Sequence, residues 1–185
     1  MSKNVEAGAE GVPSADGQQH PQQHAQQHAQ QQAQQQAQQH PQQDARQQHP
    51  QQQALVQAAR AVRARAYAPY SRFAVGAAVL DEQARIHVGA NVENAAYPQG
   101  WCAETSALAA LVAAGGRRVL AVAVCAEAAT PGQPVSPCGG CRQKLREFAA
   151  DDCPVWLADM QTVLATFTVG ELLPCSFGPV HLGRG

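Results

Sequence analysis

The stretch "WCAETSALAALVAAGG", Trp101 to Gly116, sets a thiol and a carboxylate, Cys102 and Glu104, two residues apart at the head of apolar helical text. Helical faces repeat at three and four residues, so the two side chains cannot share a face, and if both are used their jobs differ. A second group follows in "SPCGGC", where Cys138 and Cys141 form C-x-x-C directly after Pro137. Gly139 and Gly140 between them let the backbone wrap closely around an ion. On its own this pair is open to three readings: a redox pair, half of a structural zinc site, or no function. Cys102 shifts the balance, because it opens another helix after a polar turn, where three thiolates can converge on one ion. A small buried hydrophobe would account for Cys102 but not for Glu104 beside it.

Counting ligands separates the kinds of zinc site. Structural zinc takes four protein ligands, whereas a catalytic ion keeps three and leaves the fourth position to water. Cys125 sits inside an apolar run, Cys153 precedes Pro154 and Cys175 lies near the C-terminus; none has a partner at ligand spacing, so each reads as a core or idle thiol. Three ligands and a water fit best, with one Zn2+ per chain. Glu104 then faces the water without binding the metal and serves as proton carrier.

The elements that must hold these residues are visible as periodic text. "ALVQAARAVRARAYAPY" predicts a first helix stopping at Pro69, and "FAVGAAVL" and "ARIHVGANVE" predict a hairpin around "DEQA". Cys102 to Ala114 is the second helix, closed by Gly115 and Gly116. "RVLAVAVCAE" suits a strand covered on both faces. A third helix, Cys138 to Ala150, and two more strands, "PVWLAD" and "VLATFTV", complete an α/β sandwich in which a crossover helix makes two buried strands parallel.

Ahead of this lies different text. From Gln18 to Gln53 the chain is almost only Gln, His, Ala and Pro, as in "QQHPQQHAQQHAQ", without a large aliphatic or aromatic residue. Such a segment cannot offset its ordering entropy by burial, so residues 1–53 read as a disordered Gln/His-rich tail and 54–185 as the folded domain. His20, His24 and His28 are spaced by four and could collect metal weakly, although a solvated linker is the simpler account. The net charge of the whole chain is −1. The domain has no basic excess of the kind a nucleic-acid binder displays, no apolar stretch of membrane-spanning length, and "MSKNVEAGAE" lacks the apolar centre of a signal peptide. A cytoplasmic protein is expected, with no nucleic-acid or membrane partner.

The combination C-x-E followed by P-C-x-x-C is the signature of zinc deaminases. Beyond it, "PYSRFAVGAAV", "GANVENAAYPQGWCAE", "PCGGCRQKLREF" and "ELLPCSFGP" stand in the order of the small homotetrameric cytidine deaminases, which the domain closely resembles. The resemblance implies a three-layer α-β-α sandwich with a mixed five-stranded sheet. It implies zinc held by Cys102, Cys138 and Cys141, and Glu104 as the proton shuttle in hydrolysis of cytidine and 2'-deoxycytidine to uridine and 2'-deoxyuridine, a step of pyrimidine salvage. It implies further that Asn91 and Glu93 bind ribose hydroxyls, that Phe73 stacks on the pyrimidine, that Tyr97 and the Ala103 backbone contact substrate, and that Phe177 reaches a neighbouring subunit's site. A carboxylate accepts hydroxyl hydrogen bonds but repels phosphate, so Glu93 favours a nucleoside over a nucleotide. Rival readings are a deaminase of cytosine nucleoside antibiotics and an inactive zinc-stabilised scaffold presenting the tail. Many relatives carry Arg directly after the Glu of C-A-E; here that position is Thr105, and Arg142 is the nearest sequence candidate to balance the thiolate charge.

Overall fold

A computed structural model describes residues 51–183. The tail expected over residues 1–53 lies outside these residues except for its last three, and so do His20, His24 and His28. Helix α1 spans Gln52–Arg63, so the boundary expected at Ala54 falls inside its first turn. Strands β1 (Val75–Asp81) and β2 (Ile86–Ala90) form the hairpin. Helix α2 (Ala103–Ala113), strand β3 (Val119–Ala126), helix α3 (Gly139–Phe148) and strands β4 (Pro154–Ala158) and β5 (Val163–Thr168) follow. A single-turn helix α4, Val169–Leu172, closes the run.

The strands form one mixed sheet in the order β2-β1-β3-β4-β5, antiparallel except for the β3–β4 pair. That pair is joined through α3, which is why it is parallel. Alternation along each strand feeds two cores. Val79, Val122, Val124, Val155 and Leu157 pack with Ala107, Leu108 and Leu111 of α2 and Leu145 of α3. Ala78, Leu80, Ala121, Ala123, Cys125 and Trp156 face the other way, against Leu55, Val56 and Ala59 of α1. The sheet is therefore covered on both faces and the architecture is the expected three-layer α-β-α sandwich.

Two glycines set how closely helices approach the sheet. A Cβ at Gly76 would stand 2.1 Å from the Ala59 carbonyl of α1, and one at Gly89 would stand 2.3 Å from the Ala107 amide and 2.5 Å from the Ala103 carbonyl. Gly89 thus lets the first turn of α2 rest directly on β2.

Several boundaries differ from the expected ones, each for a local reason. Helix α1 ends at Arg63 rather than running toward Pro69, because Tyr67 is drawn into backbone pairing: its amide bonds Asn91 O at 3.0 Å, and its carbonyl accepts from the Glu93 amide at 2.8 Å. Helix α3 stops at Phe148 because Ala149 is already extended. Strand β5 ends at Thr168, whose hydroxyl and the Glu171 carboxylate form a reciprocal capping box that starts α4 where the strand was expected to continue.

Candidate active site

Two of the three thiols occupy equivalent places, as N-cap residues. Cys102 caps α2 and Cys138 caps α3, both with extended backbone, which sets each sulfur at the positive end of a helix dipole. Cys141 stands in the first turn of α3, 1% exposed. The three sulfurs all lie within 4.8 Å of one another.

The Cys102 and Cys138 sulfurs are 3.8 Å apart. Two thiolates each about 2.3 Å from a tetrahedral zinc stand roughly 3.8 Å apart, so this pair is spaced as two ligands of one ion. Among the described residues these three are the metal-capable group of His, Cys and acidic side chains, and Cys125, Cys153 and Cys175 take no part in it.

Glu104 lies beside the cluster, 5% exposed, with its carboxylate 3.4 Å from the Cys141 sulfur. Burial raises its carboxyl above the ordinary value, and its own amide, the Cys141 hydrogen bond and the charge of Lys144 offset this only in part. Burial, then the Glu104 charge, pushes the Cys141 thiol far up. Cys102 is raised, by burial first. At Cys138 burial is outweighed by hydrogen bonds from the Cys141 amide and sulfur and from Cys102, so this thiol is lowered.

A cavity of about 500 Å³ opens onto Cys102, Cys138 and Glu104 and is lined also by Phe73, Asn91, Glu93, Ala103 and Val124. Its polar wall is pre-organised. The Asn91 amide accepts from Val75 N at 2.8 Å and donates to Phe73 O at 2.9 Å, which pins the segment carrying Phe73 to the entrance of β1. Glu93 accepts from the Tyr70 and Ser71 amides, at 2.8 and 3.2 Å on one oxygen, and from the Ser71 hydroxyl on the other. The Ser71 hydroxyl and these amides hold the Glu93 carboxyl below its usual range against the opposing effect of burial. A carboxylate oxygen has two acceptor positions, so the oxygen bonded only to Ser71 keeps one for a ligand hydroxyl.

Tyr97 and Phe177 do not line this cavity. Tyr97 borders an adjoining one of about 370 Å³ with Tyr70, Ser71, Glu93 and Asn94. Phe177, 58% exposed, stacks on His181 at 5.2 Å. Arg142 does not bond the thiols: its guanidinium donates to Pro137 O at 2.8 Å, Leu172 O at 2.9 Å and Ser136 Oγ at 2.8 Å, and so fixes the loop that delivers Cys138. The residues sequence reasoning missed are Ser71, which orients Glu93, Trp101, which lines the cavity, and Lys144, which bonds Thr105.

Residues 49–157 match the model of the cytidine and deoxycytidylate deaminase zinc-binding region. The chain belongs to this cytidine and deoxycytidylate deaminase family. It is 43% identical over 128 residues to the cytidine deaminase of Sporosarcina psychrophila, covering 69% of this chain and 92% of the relative. It is 44% identical to that of Halalkalibacterium halodurans, covering 68% and 92%. A crystal structure of cytidine deaminase from Burkholderia pseudomallei superposes with a TM-score of 0.63 at 42% identity, covering 68% of this chain and 98% of that one. No helix among the described residues is long and apolar enough to cross a membrane.

Proposed function

We propose that this chain is a cytidine deaminase that hydrolyses the exocyclic amine of cytidine and 2'-deoxycytidine, releasing ammonia and the uracil nucleoside. The observation that carries the reading is the buried Glu104 carboxylate, which opens onto the same cavity as thiols spaced for zinc and a polar wall suited to ribose. Cys102, Cys138 and Cys141 would hold one Zn2+, which when bound supplies Lewis acidity and brings the pKa of a water to about 7.

The remaining steps belong to the protein. Glu104 accepts one proton of the attacking water and passes it to ring N3 as oxygen adds to C4, then takes the second proton from the new C4 hydroxyl and delivers it to the amine as the C4–N bond breaks and the C4 carbonyl forms. Phe73 offers a face to the pyrimidine, Glu93 and Asn91 accept and donate to ribose hydroxyls, and the Ala103 backbone lies beside the ring. The free acceptor position on Glu93 favours a hydroxyl and disfavours a phosphate, which selects nucleosides over nucleotides and polynucleotides.

The same reading assembles four chains, with the exposed Phe177, 58% accessible here, reaching a neighbour's site. It places the enzyme in the cytoplasm, where thiols stay reduced. The test is ammonia release and the absorbance change of zinc-loaded protein with cytidine, 2'-deoxycytidine, cytidine monophosphate and a cytosine nucleoside antibiotic. Turnover of the first two and little of the monophosphate is expected. Turnover of the antibiotic alone would replace the substrate, and turnover of none would end the proposal.

A further inference from the structure

Three thiolates around a dication leave one net negative charge, and the cation placed to answer it is not Arg142, the nearest candidate in the sequence, but Lys144. Lys144, one turn after Cys141 on α3, donates from Nζ to Thr105 Oγ1 at 3.1 Å. Thr105 is 6% exposed, and its hydroxyl lies 3.7 Å from the Cys141 sulfur. The ammonium also stands 5.6 Å from the centre of the Trp101 ring, the residue before Cys102. It is therefore anchored on both sides of the segment that carries Cys102 and Glu104. Arg142 cannot fill this place, because its guanidinium is committed to Pro137, Leu172 and Ser136.

We propose that Lys144 is a positioning residue that balances the thiolate charge through the Thr105 hydroxyl, with Trp101 holding it in place. A cation donating to the Thr105 oxygen polarises its O–H toward the Cys141 sulfur, so the two hydrogen bonds strengthen each other. The hydroxyl adds a directed bond to a thiolate, and the ammonium offsets the net negative charge that appears only when the ion is bound. Both act on the loaded site more than on the empty one, so both increase the affinity for zinc. Outer partners of metal ligands commonly contribute 10- to 100-fold to affinity. The inference rests on the zinc reading of the site but not on the identity of the substrate.

The experiment is zinc competition with a chromophoric chelator at fixed pH, on full-length protein, for wild type, Lys144→Met, Lys144→Arg, Thr105→Val and the double variant Thr105→Val/Lys144→Met. Lys144 is exposed, so its replacement leaves the core intact, and far-ultraviolet circular dichroism on each variant checks the fold. Lys144→Met is expected to weaken zinc binding about tenfold and Lys144→Arg to restore most of it, because guanidinium can donate to the same hydroxyl and stack on the same ring. Thr105→Val is expected to weaken binding similarly. The double variant should be little worse than either single one, since the two residues act in series. Unchanged affinity in Lys144→Met, no recovery with Lys144→Arg, or losses that add in full would each overturn the assignment. A wild-type chain that fails to bind zinc would overturn the zinc reading itself, an outcome distinguishable from the others.

Discussion

Among the described residues two carboxylates are buried, and their surroundings are opposite. Asp81, at the end of β1, is fully buried, and each of its oxygens accepts two hydrogen bonds: Gln83 N and Arg85 N at 2.9 Å on one, Arg85 Nε at 2.7 Å and His87 Nε2 at 2.8 Å on the other. Burial alone would raise this carboxyl, but the bonds from His87, Arg85 and Gln83 outweigh it and hold it well below the usual range. Glu104 is nearly as buried, yet its carboxylate has only the Cys141 sulfur and its own amide as hydrogen-bond partners, and Lys144 acts on it through charge alone. A satisfied carboxylate keeps its charge and fixes the hairpin. One left short of donors is ready to take a proton, which makes it useful for chemistry.

Removing the metal gives the largest expected effect and acts on one carboxylate only. Exhaustive chelation with verified zinc loss should take turnover to background and lower the thermal midpoint, since an ion bound only by the native state stabilises it by mass action. Re-addition of zinc should restore both. Full activity in verified metal-free protein would break the distinction.

Asp81→Asn is the mirror experiment. It should lower the unfolding midpoint by several degrees, by removing the charge and turning one of the two accepting oxygens into a donor that faces other donors, while kcat of the folded fraction stays near wild type. Because the folded pKa of Asp81 is depressed, its contribution is complete above the unfolded value of about 3.9 and is lost as pH falls toward the folded one. The gap in stability between wild type and variant should therefore be full at pH 6 and shrink below about pH 4. A gap independent of pH would show that the charge of Asp81 contributes nothing.

The smallest effect concerns neither carboxylate. A chain beginning at residue 51 should keep kcat and KM close to those of the full protein, since every residue given a part in the chemistry lies at or after Tyr70. A large drop at saturating zinc would assign the Gln/His-rich segment a role in the site. A drop under zinc limitation alone would point to its histidines.

Much of this was readable from the sequence because the chemistry sits on local punctuation. Cys102 and Cys138 stand where a polar turn meets a helix, and the unbroken apolar run "VLAVAVCA" suits a strand covered on both faces. What escaped depends on through-space contacts between separate segments. Ser71 orients Glu93 across 22 residues and Lys144 reaches Thr105 across 39, separations that leave no periodic trace. Arg142 adjoins a ligand in sequence, yet its three hydrogen bonds turn out to secure the loop instead. The early end of α1 had the same origin, since Tyr67 gives its backbone to Asn91 and Glu93.

The contrast between the two carboxylates is tested most directly by kcat of Glu104→Gln, measured with cytidine on protein whose zinc content is determined in the same sample. The amide keeps the size and a hydrogen-bonding oxygen but cannot carry a proton. The account predicts about one zinc per chain, an unchanged fold and a kcat lower by a factor on the order of 10² to 10⁴. A zinc-loaded Glu104→Gln protein that turns over cytidine at near the wild-type kcat would contradict it.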